Sequence, residues 1–74
     1  MNMKELMLHT LKGDIYTCGK DGMTKIGIKR FLENRYVNID TDICEAEFNN
    51  ILDEQYEKVK AWRLKNTKPN CTYN

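Results

Sequence analysis

The chain has 74 residues and a mass of 8.8 kDa, enough for one compact domain and too little for a catalytic barrel or a dinucleotide-binding fold. With 41% hydrophobic and 31% charged residues, one proline and four glycines, it has a globular composition, neither disordered nor fibrous. The net charge of +1 does not mark a nucleic-acid coat, yet the charges are segregated. Residues 1–38 carry seven basic and four acidic side chains, residues 39–57 none and seven, and residues 58–74 five and none.

The first predicted helix covers about residues 2–12. Asn2 with Glu5 forms a capping-box pattern, and Met3, Leu6, Met7, Thr10 and Leu11 share one face, with Leu8 on the other side. Gly13 is placed as the glycine that ends it.

The period then changes. Ile15, Tyr16, Thr17 and Cys18 are strand-prone, and the stretch Gly19-Lys20-Asp21-Gly22 is rich in turn formers. Residues 14–26 are therefore expected to form a short β-hairpin lying on the helices, or an irregular loop turning at Asp21-Gly22.

A second helix is predicted over about 27–37, with Ile28, Phe31, Leu32, Arg35 and Tyr36 on its inner face. Residues 37–41 connect it to a third, introduced by the cap pair Asp42 and Glu45. The third helix, of about 23 residues, has the strongest periodicity: Cys44, Phe48, Ile51, Leu52, Gln55, Val59 and Trp62 form one stripe flanked by Tyr56. Its acidic residues gather at the N-terminal end and its basic ones at the C-terminal end, as the helix dipole favours.

These elements make a mainly α, three-helix domain over residues 1–65, with a flexible tail over 66–74; the alternative class is an α+β winged-helix-like domain. The expected core is Leu6, Met7, Leu11, Ile28, Phe31, Leu32, Phe48, Ile51, Leu52 and Val59. A third helix rising about 34 Å outreaches two companions rising about 16 Å each. Its C-terminal half, with Val59 and Trp62, is then covered by the other helices in turn or by a second copy of the chain in a homodimer.

Chemistry finds little foothold. His9 is the only histidine, and no acid or nucleophile stands at a pairing distance from it. No phosphate-loop, dinucleotide, nucleophile-elbow or metalloprotease string occurs. The three cysteines, Cys18, Cys44 and Cys71, contain no CxxC pair, so neither a zinc site nor a disulfide scaffold is expected. The segment around Asp21-Gly22 lacks the alternating oxygen ligands of a calcium loop. Asn70-Cys71-Thr72 matches a glycosylation sequon but follows no secretory signal, and no apolar run approaches a membrane span. The expectation is a cytoplasmic protein that is not an enzyme, uses no cofactor or metal and does not enter membranes.

Two functions are then expected of such a chain. The first is a regulator or inhibitor that docks on another protein through the charge-segregated third helix, using Leu8, Glu47, Asp53, Glu54, Trp62 and Leu64. Nine lysines, eight asparagines and six isoleucines suggest AT-rich coding, as in a phage or mobile element. The alternative is a small DNA-binding transcriptional regulator that uses the second helix and two basic clusters, Lys20, Lys25, Lys29 and Arg30 with Lys58, Lys60, Arg63, Lys65 and Lys68.

Overall fold

A computed structural model describes residues 2–38 and 42–66. It contains three α-helices, α1 (Met3–Lys20), α2 (Lys25–Tyr36) and α3 (Glu45–Asn66), and no strand among the described residues. The small helical domain expected from the sequence is therefore present. Most of the predicted connector, residues 39–41, and the predicted tail beyond Asn66, with Lys68 and Cys71, lie outside the described residues. None of the described helices is long and apolar enough to cross a membrane.

The first helix does not stop at Gly13, and the expected hairpin is absent from the described residues. The capping box is formed as expected: the Glu5 N–H donates to Asn2 Oδ1 (2.8 Å) and the Asn2 N–H to Glu5 Oε1 (3.1 Å). The whole helix runs for 18 residues, because Leu11 and Ile15 sit at an i, i+4 spacing and both are fully buried. Strand propensity spans only about 1 kcal/mol, whereas burying an isoleucine side chain is worth roughly 1.5–3 kcal/mol. The packing term wins at Ile15.

What ends α1 is Gly22. It has φ of 102°, a left-handed conformation that a side chain disfavours. Its N–H donates to Gly19 O (3.0 Å) and the next N–H, of Met23, donates to Cys18 O (3.1 Å). These two bonds define a Schellman motif with Asp21 as C-cap. Thr24 then caps α2, its hydroxyl accepting from the Gly27 N–H at 3.1 Å.

The predicted cap pair at α3 is shifted. Asp42 precedes the helix in a left-handed conformation (φ 60°), and the first helical bond runs from the Phe48 N–H to Cys44 O (2.9 Å). Ile43 and Phe48 share the buried cluster, at the positions of a hydrophobic staple.

Side-chain pairs fix the helix directions. Lys4 meets Glu47 at 3.4 Å near the start of α1 and α3, and Gly19 meets Val59 near their other ends, so these two run parallel. Lys25 pairs with Asp53 and Lys29 with Glu45, which makes α2 antiparallel to α3. The core is Leu11, Ile15, Ile28, Leu32, Tyr36, Ile43, Phe48, Ile51, Leu52 and Val59, with Gln55 the buried polar residue. Of the predicted core, Met7 is half-buried, while Leu6 and Phe31 are 49% and 56% exposed. They sit at the edges of their stripes, and a three-helix arrangement buries only the middle of each stripe.

The expected overhang of α3 is reduced to the end beyond Val59, where Trp62 is half-buried and Leu64 exposed. At about 27 Å, α1 is long enough to cover α3 as far as Val59, which is fully buried without a second chain.

One packing contact is unusually tight. A Cβ built on Gly19 would lie 2.5 Å and 2.7 Å from the two methyls of Val59. Valine is β-branched and stiff about χ1, so those methyls cannot swing away and the helices would have to separate. Overpacking of this kind costs about 1–3 kcal/mol, partly offset by the roughly 1 kcal/mol helix preference of alanine over glycine. Gly13 is the opposite case: its backbone is helical, and a Cβ added there would meet nothing within 4 Å. We therefore expect Gly19→Ala to lower the midpoint of thermal unfolding and Gly13→Ala to raise stability by about 0.5–1 kcal/mol, both read by circular dichroism melts.

A second expectation concerns Tyr36, whose hydroxyl donates to Asp14 Oδ2 across the α1–α2 seam. Burial, then the Asp14 carboxylate, pushes the phenol from its ordinary 10 up to about 12. An acid whose folded value is raised adds stability below its unfolded value and loses it as pH climbs through the folded one. Unfolding free energy should fall from pH 10 to pH 12 more steeply in the native chain than in Tyr36→Phe.

Candidate functional site

In a helix reaching residue 20, Lys12, Tyr16 and Lys20 stand four apart and form one line along α1. On α3, Lys58, Trp62 and Lys65 form a second line. Because the two helices run parallel, the lines face each other across a shallow groove. Two adjoining hollows of about 380 and 400 Å³ occupy it. His9, Lys12, Gly13, Tyr16, Gln55 and Lys58 line the first, and Tyr16, Lys58, Ala61, Trp62 and Lys65 line the second, so that Tyr16 and Lys58 are common to both. No carboxylate lines either hollow.

Tyr16 and Trp62 are half-buried, and the Lys20 ammonium lies 5.4 Å and 5.1 Å from their ring centres, within cation–π range of both. Lys12, Lys20, Lys58 and Lys65 make no ion pair with any described residue. Four uncompensated cations beside two aromatic rings therefore share one surface.

Gln55 adds a third feature. It is only 6% exposed and lines the first hollow, yet its side-chain amide has no hydrogen-bond partner among the described residues. An amide on the wall of an open hollow takes its partners from whatever fills the hollow, water included.

Elsewhere the expected site residues are mostly committed to the fold. Lys25 is paired with Asp53, and Lys60 with Glu57 at 2.8 Å. Lys29 donates to Glu45 Oε2 (3.1 Å) and Asn49 Oδ1 (3.0 Å), with Glu33 at 3.7 Å, and the Glu45 hydrogen bond, opposed by partial desolvation and aided by the Glu33 charge, raises its pKa. Arg30 is exposed and separate from the groove. The second helix thus turns two of its cations toward α3 carboxylates.

Arg63 is a bolt rather than a free cation. Its Nη2 donates to Gly19 O (2.7 Å) and Met23 O (3.1 Å), and its Nη1 donates to Tyr56 Oη (3.2 Å). It thereby satisfies carbonyls at the end of α1 and holds that end onto α3.

The residues expected to bind a protein partner are divided. Leu8 is half-buried against the core, Glu47 is paired with Lys4, Asp53 with Lys25, and Glu54 and Leu64 are exposed. Of this set, only Trp62 lines the groove.

Cys18 is half-buried in α1, and burial, then the Asp14 and Asp21 charges, pushes its thiol pKa up, against reactivity. Among the described residues no group of three His, Cys, Asp or Glu side chains could hold a metal ion.

Lys12, Gly13, Tyr16 and Gln55 were not among the site residues expected from the sequence. The first three are hidden when the first helix ends at Gly13; a helical reading of 12–20 aligns Lys12, Tyr16 and Lys20 at once. Compared with family models, curated proteins and solved structures, the chain matches none.

The Arg63 contacts make a specific expectation. Replacing it by alanine leaves the Gly19 and Met23 carbonyls short of a charged donor, which should cost about 1–3 kcal/mol in a urea melt. Arg63→Lys should recover little of that, because one ammonium cannot reproduce the planar fork that spans three acceptors.

Proposed function

We propose that this chain is a small non-catalytic regulator that acts by docking, and that its docking surface is the α1–α3 groove, which receives an anionic segment of a macromolecule. The observation that carries this reading is the convergence of Lys12, Lys20, Lys58 and Lys65 on two aromatic rings, with no carboxylate lining the groove. The other described lysines are paired: Lys4, Lys25, Lys29 and Lys60 each meet a carboxylate. Uncompensated cations gathered in a concavity repel one another, and an anion from outside relieves that repulsion and is drawn in by it.

This reading keeps the docking role expected from the sequence and moves it off the acidic face of the third helix. It also moves the basic surface off α2, whose Lys25 and Lys29 are held by Asp53 and Glu45.

The test is a backbone amide chemical-shift titration at low salt with two unrelated polyanions, poly-L-glutamate and a single-stranded oligonucleotide. At least one should shift amides of residues 9–20 and 55–65 while sparing 25–36. Shifts centred on α2, or none with either polyanion, would overturn the proposal.

A further inference from the structure

We infer that the occupant of this groove is single-stranded nucleic acid, with two successive bases on Tyr16 and Trp62 and the backbone phosphates along the lysines. The inference rests on the groove being the docking surface and adds the chemistry of what it takes.

One observation separates a nucleic acid strand from an acidic polypeptide, and a second fits it. The first is the pair of aromatic rings, placed in adjoining hollows and close enough for one ammonium to reach both. Stacking on such rings is how single strands are held without regard to sequence, since every base has a π-face. A run of carboxylates has no flat aromatic group to place there. The second is Gln55, whose amide lines the first hollow and has no hydrogen-bond partner among the described residues. A nucleobase edge offers this amide both a donor and an acceptor.

The groove also suits a single strand better than a duplex. The basic residues are shared between two helices across a shallow groove and do not run along one face of a single helix such as enters a major groove. A duplex resting across the mouth would keep its bases stacked inside, out of reach of both rings.

Two details fit the same occupant. Lys20 lies over both rings, and a phosphate would draw its ammonium off as the base arrives; a stacked base gains more than an exposed ammonium on the same ring loses. Gly13 leaves the wall of the first hollow bare in a helix interior where another residue would be more stable, as expected where a ligand approaches the backbone.

The chain has one tryptophan, and it lies in the groove, so its fluorescence reports occupancy directly. Titration of the full chain with oligo-dT and oligo-dA should quench that emission to saturation. Log affinity should fall with log salt at a slope near −0.7 for each lysine engaged, about −2.8 for four. Lys12→Gln and Lys58→Gln should each flatten the slope by about 0.7, and Lys60→Gln, paired outside the groove, should leave it unchanged. By anisotropy of a labelled strand, Trp62→Leu should weaken binding by roughly 5- to 100-fold. Gly13→Leu, which fills the first hollow with a good helix former, should weaken binding while the chain melts no lower than wild type; if either Trp62→Leu or Gly13→Leu binds as well as wild type, the inference is overturned.

Duplex of the same length bound as tightly as single strand at equal salt would overturn the inference. So would quenching by poly-L-glutamate equal to that by oligonucleotide, which would leave the docking groove standing and make its occupant an acidic polypeptide. Binding unaffected by both lysine substitutions would place the strand elsewhere on the molecule. Failure of both polyanions to perturb Trp62 would remove the groove and its occupant together.

Discussion

The close approach of α1 to α3 at Gly19 and Val59 is the contact on which the rest of the arrangement depends. A glycine with two valine methyls inside the space of a missing Cβ lets the backbones come nearer than a residue with a side chain would allow. Arg63 closes the same corner by donating to Gly19 O and Met23 O, so the end of α1 and the turn into α2 are tied to α3 by charge-assisted bonds as well as by packing. Three features of the chain follow from that corner. The parallel course of α1 and α3 is set, Val59 is enclosed without a second molecule, and the last turns of α1 are placed beside Trp62.

That placement produces the surface chemistry. Tyr16 and Lys20 belong to α1 and Trp62, Lys58 and Lys65 to α3, separated by about forty residues in sequence. Parallel helices bring them side by side, one cation over two rings. Meanwhile the α2–α3 seam consumes cations: Lys25 and Lys29 face Asp53 and Glu45 and serve register more than stability, since exposed pairs of this kind contribute about 0–1 kcal/mol each. The near-neutral net charge hides a division of labour, with one seam neutralised and one left basic.

Much of the fold was legible in order of signal strength. The stripe of the third helix is buried as its spacing implies at Phe48, Ile51, Leu52, Gln55 and Val59, and the Asn2–Glu5 capping box is present. The failure lay at Gly13. Glycine is common past helix ends, but an isolated glycine inside a helix costs only about 1 kcal/mol, and the spacing of Leu8, Leu11, Ile15 and Cys18 runs straight through it. Strand propensity at Ile15 to Cys18 is a local preference weaker than that spacing, and setting it first hides Tyr16 and Lys12 as site residues. The true stop is marked by Gly22, whose left-handed backbone completes the Schellman motif.

From its residues alone the chain determined that it is small and helical, where its third helix lies, and that its charges are sorted along it, because periodicity and helix-end preferences act over neighbouring residues. Only the tertiary structure decided which cations stay unpaired. That depends on which helix lies against which, and pairs such as Lys25 with Asp53 or Lys4 with Glu47 are invisible until the helices are placed. The groove exists for the same reason: Gly19 admits Val59, and every residue that lines the cleft between α1 and α3 takes its neighbours from that contact.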